Sequence, residues 1–236
     1  CVKSKLSLDV FTGTVIGGEV KCWGDDIDPK RSPIITEYHS VASKQFSQID
    51  LGTAHGCGVL TNNQLACWGS NSNGQADPPE GHFLMVSSYD KHNCAVDLGG
   101  RLHCWGQNHP TSNGPIFEQL PEWLRVKKVE VGAQHACAIS HAEPNKLICW
   151  GKGYGASEIP NDLINADTQP IHSFSVGMFH SCAIYSPERL TACWGGEPFF
   201  LLPPPPALLS KISVTLYNSC GLIGSALTWP PNNQLK

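Results

Sequence analysis

Short apolar segments separated by turn-forming residues run through most of the chain. Three of them read QIDLGTAHGCGVL (48–60), KVEVGAQHACAIS (128–140) and SFSVGMFHSCAIY (173–185), each with a glycine between two apolar runs. A turn rich in Asn, Gly or Pro follows, and then a second apolar segment such as QLACWG or KLICWG. The nearest approach to a helical period, IFEQLPEWLRV, is interrupted by Pro121. The pattern predicts an all-β chain built from short strands.

These segments belong to a repeat marked by the tripeptide Cys-Trp-Gly. It occurs five times at intervals of 45, 37, 45 and 44 residues, beginning at Cys22, Cys67, Cys104, Cys149 and Cys193. In four units another cysteine precedes it by 10, 10, 12 and 11 residues, namely Cys57, Cys94, Cys137 and Cys182. A sixth unit begins at Cys220, and Cys1 fits the first-cysteine position of the opening unit. Units of this length with several short strands each indicate a β-propeller.

The motifs resemble the regulator of chromosome condensation repeat. The resemblance rests on a glycine followed by His-x-Cys-Ala-Ile, a turn and Leu-x-Cys-Trp-Gly. The tail SNSNGQ occurs once, at 70–75. The cysteines make it most similar to a secreted branch that includes the beta-lactamase inhibitor protein II fold. The resemblance implies six to seven four-stranded blades, one disulfide per blade, and binding surfaces formed by variable loops.

The whole chain, 1–236, is predicted to be one propeller domain. Its units end near residues 24, 69, 106, 151 and 195, and the last, 196–236, is incomplete. The final NNQLK mirrors the NNQLA that runs into Cys67. This register predicts that the chain is a fragment of a longer protein.

The eleven cysteines suit an oxidising compartment, and disulfide staples are the favoured interpretation of their spacing. Directly opposed residues of antiparallel strands have Cα atoms about 4.5–5.5 Å apart, within the range that a disulfide tolerates. The predicted pairs are Cys57–Cys67, Cys94–Cys104, Cys137–Cys149, Cys182–Cys193 and Cys1–Cys22. Cys220 is left over, and its partner is predicted to follow Lys236. Metal ligands and buried free thiols are the alternatives, and the absence of a C-x-x-C pair disfavours a redox site.

The repeated histidines and tryptophans are predicted to be structural. His55, His92, His135 and His180 each stand two residues before a cysteine, so a buried imidazole bonded to its own or the next blade is favoured. The motif tryptophans are expected to pack between blades. Trp123 lies outside the motif and is a candidate surface contact. The proline run in FFLLPPPPALL (199–209) predicts an extended segment, either a rigid loop over the rim or a docking ridge.

Composition narrows the function. A net charge of −4 gives no electrostatic reason to bind nucleic acid, and no apolar run is long enough for membrane insertion. No catalytic constellation or cofactor motif stands out, so no enzyme activity, metal or cofactor is predicted.

We therefore expect a secreted or cell-surface module that recognises another protein, or neighbouring domains of the same assembly. The aromatic candidates for partner binding are Tyr38, Phe83, Phe117, Trp123, Tyr154 and Phe179. A structural building block of an extracellular filament, wall or surface assembly is the first alternative, and a glycan-binding propeller is another. The nucleotide-exchange role that the resemblance also implies is disfavoured by the predicted disulfides.

Overall fold

The computed structural model describes most of the repeat region and shorter stretches beside it. The described residues are 2–3, 7–8, 15–22, 38–107, 122–141, 146–151, 158–160, 163, 171–185, 189–196, 208–215 and 218–223. They form eighteen short strands and one 3-10 turn, Tyr38–Ser40. At the N-terminal end β1 (Val2–Lys3) pairs with β4 (Val20–Lys21), and β2 (Ser7–Leu8) pairs with β3 (Val15–Ile16).

The following units each form a small antiparallel sheet whose strands are adjacent in sequence. Four of these sheets have three strands. Sheet 1 contains β5 (Phe46–Leu51), β6 (His55–Leu60) and β7 (Leu65–Gly69); sheet 2 contains β8 (Phe83–Tyr89), β9 (His92–Asp97) and β10 (Leu102–Gly106). Sheet 3 contains β11 (Val126–Val131), β12 (His135–Ser140) and β13 (Leu147–Gly151); sheet 4 contains β14 (Ile171–Val176), β15 (His180–Tyr185) and β16 (Leu190–Gly195). Sheet 5 consists of β17 (Leu209–Val214) and β18 (Ser219–Ile223).

The first strand of each sheet is the inner one. Residues of β5, β8, β11, β14 and β17 line one common cavity of about 390 Å³. The His-x-Cys strand lies in the middle, and in sheets 1 to 4 the Cys-Trp-Gly strand lies outside it. The order follows from short hairpin connections, which place consecutive strands side by side.

Register places the two cysteines of a unit directly opposite each other. Cys57 faces Cys67 in sheet 1, and the corresponding cysteines face each other in sheets 2, 3 and 4. The same register occurs at the N-terminal end, where Val2 faces Lys21, the residue before Cys22. The hairpin spacing therefore brings each pair into bonding range.

The core lies between neighbouring sheets. Trp150 of sheet 3 packs with Cys94 and Val96 of sheet 2, and Trp194 of sheet 4 packs with Cys137 of sheet 3. Trp68 is buried in a cluster with Val20 and Val41. The motif tryptophans Trp68, Trp150 and Trp194 thus fill the space between sheets, while Trp23 and Trp229 lie outside the described residues.

The single SNSNGQ tail also bridges two sheets. Gln75 is almost fully buried, and its backbone carbonyl accepts hydrogen bonds from Trp105 Nε1 at 3.1 Å and from Asn93 Nδ2 at 2.9 Å. Both donors belong to sheet 2, which follows the tail in the chain. The tail therefore stabilises the contact between sheet 1 and sheet 2.

The all-β prediction is confirmed, and the repeat corresponds to small consecutive sheets. The described residues contain three strands per complete sheet, so a fourth strand and the total number of blades stay predictions. The domain boundaries also stay a prediction. The proline run falls largely outside the described residues, which resume at Leu208.

Candidate interaction face

Strand direction gives the array of sheets two distinct ends. Every inner strand starts at the end where the middle and outer strands are joined, for example by turns 61–64 and 98–101. We call this end the hairpin face. The opposite face carries the turns between inner and middle strands, including 52–54 and 132–134.

Backbone hydrogen bonds join the turns of the hairpin face to one another. The N–H of Phe83, the first residue of β8, donates to the carbonyl of Asn63 in the preceding sheet, at 2.6 Å. The N–H of Val126, the first residue of β11, donates to the carbonyl of Gly100 at 2.8 Å. These two turns are thereby fixed against the start of the next sheet.

Exposed large apolar side chains concentrate on the hairpin face. Five lie there, at strand starts or in turns: Leu84, Leu98, Trp123, Leu190 and Leu208. Among the described residues, none of the exposed large apolar side chains lies in the turns of the opposite face. Leu222 and Ile223 are also exposed, but they end the last described strand and are followed by undescribed residues 224–236. The exposed large apolar side chains are therefore unevenly distributed between the two faces.

Trp123 is the most exposed of these side chains, at 77%. It lies in a turn just before β11, and the neighbouring Leu124 is buried. Arg125 Nη1 donates to the carbonyl of Glu122 at 2.8 Å and to the carbonyl of Leu124 at 3.0 Å, which closes the turn around the tryptophan. The backbone is therefore held while the indole ring points outward.

A pocket of about 310 Å³ lies beside Leu98 on the hairpin face of sheet 2. Residues 80–83, 97–99 and His103 line it. His103 Nε2 lies 2.9 Å from Asp97 Oδ2, and its ring meets the buried Phe83 ring edge-to-face at 5.4 Å. Burial acts to raise the pKa of Asp97, but the hydrogen bonds from His103 and from the N–H groups of Arg101 and Gly99 outweigh it and lower that pKa.

The aromatic residues proposed from sequence divide into different environments. Trp123 lies on the hairpin face, whereas Phe179 is half-buried in a turn of the opposite face. The prediction for Phe83 is wrong, because its side chain is 1% exposed in the core between sheets 1 and 2. The backbone of Tyr38 lies in the 3-10 turn, and its side chain is not described. Phe117 and Tyr154 lie outside the described residues.

Sequence reasoning missed the leucines of the hairpin face. Leu98 occupies a turn position where Thr61 and His141 stand in other units, and Leu84 occupies the strand position of Lys127. The sequence did contain a signal for these leucines, since each stands where neighbouring repeats have a polar residue. That signal can be recognised only when the repeats are aligned by their strand register.

The four hairpin disulfides are present within the sheets. Their Cα–Cα distances are 4.0, 4.1, 4.1 and 4.0 Å, for Cys57–Cys67, Cys94–Cys104, Cys137–Cys149 and Cys182–Cys193. Cys22 is also disulfide-bonded, and its predicted partner Cys1 lies outside the described residues. Cys220 is a free, exposed thiol. Within the described ranges, no group of three or more His, Cys, Asp or Glu side chains is placed to hold a metal ion.

The repeated histidines form hydrogen bonds from one sheet to the next. His55 Nε2 donates to Asn93 Oδ1 at 2.7 Å, and His92 Nε2 donates to the carbonyl of Gly132 at 2.9 Å. His180 Nε2 lies 2.8 Å from Ser219 Oγ. Burial lowers the pKa of both His55 and His180, which favours the neutral form of each ring.

A second set of contacts links consecutive inner strands. Asp50 Oδ2 accepts a hydrogen bond from the N–H of Ser88 at 2.8 Å, and Ser87 Oγ accepts one from the N–H of Val131 at 3.2 Å. Glu130 and Ser175 make the corresponding contacts to the following sheets. Burial raises the pKa of Asp50, although the N–H groups of Ser88 and Leu51 donate hydrogen bonds to its carboxylate. The polar groups of the central cavity thus hold the sheets together.

Comparison with known proteins agrees with this architecture. The family model described as regulator of chromosome condensation (RCC1) repeat matches residues 46–75 and 86–113, which cover sheet 1 and most of sheet 2. Two stretches of the chain thus match the RCC1 repeat. The resemblance predicted from the Cys-Trp-Gly motifs is confirmed, and the disulfides within the sheets agree with its cysteine-bearing form.

Solved structures of two receptor-kinase ectodomains and of Prp20p share the fold. The ectodomain of the Physcomitrella patens receptor kinase CR4 is 23% identical, with a TM-score of 0.63 over 78% of this chain and 49% of that one. The CRINKLY WD40 ectodomain of the Arabidopsis thaliana receptor kinase ACR4 is 20% identical, with a TM-score of 0.60 over 77% and 62%. Prp20p from Saccharomyces cerevisiae is 16% identical, with a TM-score of 0.57 over 78% and 57%.

These similarities establish a β-propeller fold for the repeats. The chain spans about half of the CR4 ectodomain and less than two thirds of the other two structures. No helix of the described residues is long and apolar enough to cross a membrane.

Proposed function

We propose that the chain is part of an extracellular, non-catalytic module that recognises another protein through the hairpin face. The observation that carries this proposal is the concentration of exposed apolar side chains, with Trp123 foremost, on one face of a rigid array. Tryptophan is enriched among residues that dominate protein–protein binding. The backbone contacts around Trp123 give it the preorganisation that tight binding needs.

Two observations support an extracellular location. Four disulfides join adjacent strands in the described residues, and such bonds persist in oxidising compartments. Two of the proteins with the same fold are receptor-kinase ectodomains. Prp20p is described together with its binding to Gsp1p and histones, which gives a precedent for protein partners on this fold.

The proposal is tested by screening the secreted, disulfide-intact chain against an array of purified extracellular proteins. We expect a binding partner whose affinity falls in Trp123→Ala and is unchanged in Lys91→Ala, a substitution of an exposed side chain on the opposite face. Binding that is insensitive to Trp123→Ala would contradict the choice of face. A chain that binds only after reduction of its disulfides would contradict the extracellular role.

A further inference from the structure

The tail SNSNGQ (70–75) contains an asparagine that is followed directly by a glycine, Asn73–Gly74. The backbone nitrogen of the residue after an asparagine can attack the side-chain carbonyl carbon, and a glycine there has no Cβ to obstruct the approach. Gly74 is open on that side, since a Cβ built on it would meet no heavy atom within 4 Å. Asn73 and Gly74 are half-buried, and Asn71 and Ser72 before them are exposed, so water reaches the pair.

The atoms that would react are held only by their own turn. The N–H of Gly74 donates to the carbonyl of Asn71 at 3.2 Å. This distance is longer than the about 2.9–3.0 Å that is most common for such bonds. The side-chain nitrogen of Asn73, Nδ2, donates to Ser72 Oγ at 2.9 Å on the exposed side of the turn. Neither the attacking nitrogen nor the leaving nitrogen is therefore bound to the core.

Gln75, the residue after the pair, is by contrast anchored in the core. Its side chain is 1% exposed, and its carbonyl accepts hydrogen bonds from Asn93 Nδ2 at 2.9 Å and from Trp105 Nε1 at 3.1 Å. Asn93 Oδ1 in turn lies 2.7 Å from His55 Nε2 and 2.7 Å from Ser88 Oγ. The place of the Gln75 carbonyl thus decides how these buried groups join sheet 1 to sheet 2.

Two further hydrogen bonds fix the length of the turn. Gln75 Oε1 accepts one from the N–H of Asn73 at 2.8 Å, and Asn71 Oδ1 accepts one from the N–H of Ala76 at 2.9 Å. A main chain with an extra atom between Asn73 and Gln75 would have to break one of these bonds or displace the Gln75 carbonyl.

We propose that Asn73 deamidates spontaneously in the folded chain and that its isoaspartyl product weakens the contact between sheets 1 and 2. The nitrogen of Gly74 attacks Cγ of Asn73 and forms a succinimide ring. The Cγ–Nδ2 bond breaks, and ammonia leaves with the proton of the Gly74 N–H. Water from the solvent then opens the ring. Cleavage at Cγ gives aspartate in an ordinary backbone, whereas cleavage at the main-chain carbonyl carbon gives isoaspartate.

The two products differ in their effect on the fold. Both place a carboxylate at position 73, on the solvent side of the turn. Isoaspartate also makes the main chain one atom longer, because the chain then runs through Cβ and Cγ. The Gln75 carbonyl is thereby displaced from Asn93, whose side chain is fully buried. A buried donor that loses its acceptor destabilises the folded state.

Peptide mapping of the folded, disulfide-intact chain after incubation at mildly alkaline pH tests the reaction. Asn63 is the internal control, because it is exposed in the same tryptic peptide, 45–91, but is followed by Gln64. We expect Asn73 to be lost while Asn63 is retained, at a rate that rises with pH because the attacking nitrogen must lose its proton. Asn73→Gln keeps a side-chain amide but closes the larger ring poorly, so it should stay intact.

Two outcomes would overturn the reaction. If Asn73 stays intact in the folded chain but is lost after reduction and unfolding, the fold protects the pair. Equal loss of Asn63 would show that Gly74 has no part in the reaction. The measurements use an Asn113→Gln background, because 113–114 is the other Asn–Gly pair of the sequence.

The structural consequence is measured on the separated isoaspartyl form. Asn73→Asp is the matched control, since it carries the same charge on an ordinary backbone. The denaturant midpoint should fall in the isoaspartyl form and stay near that of the wild type in Asn73→Asp. Hydrogen exchange of the Trp105 indole N–H should become faster, whereas that of Trp194 in sheet 4 should not change. Equal midpoints for the isoaspartyl form and Asn73→Asp would overturn the weakened contact.

Discussion

His135 Nε2 lies 2.8 Å from the hydroxyl oxygen of Ser181 in the next sheet, and both groups are buried. Ser181 is the residue between histidine and cysteine in the following His-x-Cys motif. His55 and His180 find their partners at the same motif position. Where that position is Ala136, His92 instead donates to the carbonyl of Gly132. The residue between His and Cys thus decides how each sheet is joined to the one before it.

The His135 contact predicts a loss of stability in acid. Burial, reinforced by the nearby His180, lowers the pKa of His135 from 6.5 to about 4. Between these values the unfolded chain binds the proton and the folded chain does not, so the free energy of unfolding falls as the pH drops. The full effect of one such group is about 3 kcal/mol. Denaturant unfolding between pH 7.5 and about pH 4 measures it.

His135→Gln removes this titration while keeping a side-chain donor. We expect the variant to lose less stability than the wild type over the same pH interval. His141→Gln is the control, since His141 is exposed on the hairpin face. Equal pH slopes for wild type and His135→Gln would show that His135 is not the group responsible.

Ser181→Ala should destabilise the contact between sheets 3 and 4. The substitution leaves the buried His135 Nε2 without its partner, and a buried group left unsatisfied costs about 1–3 kcal/mol. Chemical denaturation of Ser181→Ala and Ser173→Ala, a control on the inner strand of the same sheet, would measure the difference. A cost no greater than that of the control would mean that the imidazole finds another acceptor, as His92 does with the Gly132 carbonyl.

Asp50 should give the free energy of unfolding a pH dependence opposite to the one that His135 gives. Its pKa is raised, mainly by burial, so the unfolded chain releases the proton first as the pH rises above 3.8. The stability contributed by this group is therefore present in acid and is lost as the pH rises through the folded pKa. Asp50→Asn keeps an oxygen acceptor for the Ser88 N–H, so its stability relative to wild type should increase from pH 4 to pH 7. A relative stability that decreases over this interval would contradict the prediction; Asp77→Asn, an exposed site, is the control.

The disulfides predict a simple labelling pattern. Alkylation of the folded, unreduced chain should modify Cys220 alone, because it is exposed and free. Tryptic digestion should give linked peptides for Cys94–Cys104, Cys137–Cys149 and Cys182–Cys193, which Arg101, Lys146 and Arg189 separate. Cys57 and Cys67 share the tryptic peptide 45–91, so their bond should appear as an internal disulfide that is alkylated only after reduction. Replacing Cys137 and Cys149 together by serine should lower the free energy of unfolding by about 3 kcal/mol in the chain-entropy model. Mass spectrometry and denaturant unfolding check the two statements. Uniform alkylation would contradict the extracellular assignment.

The repeat itself could be found without coordinates because its spacing is local. Cys57 and Cys67 are ten residues apart, and a hairpin of that length leaves few other ways to pair them. The buried role of His135 was also predictable, since a group repeated in every unit serves the architecture. Its partner was not, because Ser181 lies 46 residues away and is a neighbour only when sheets stand side by side.

The exposure of the aromatic residues could likewise be predicted only where it depends on local sequence. Trp123 stood out because it breaks the motif, and it is indeed exposed. Phe83 looked equally suitable, yet it starts an inner strand and packs into the core between sheets. Loop position in a sequence does not reveal which side of a strand a ring occupies, since the pleat and the neighbouring sheet decide its burial.

The sequence by itself determined the all-β class, the repeat and the cysteine register, because these depend on short-range spacing and on the period of apolar residues. Tertiary structure alone decided which face carries the exposed apolar side chains and which partner each buried histidine bonds. These features arise between sheets that are distant in sequence. Their geometry is set by packing, to which no local pattern in the chain corresponds.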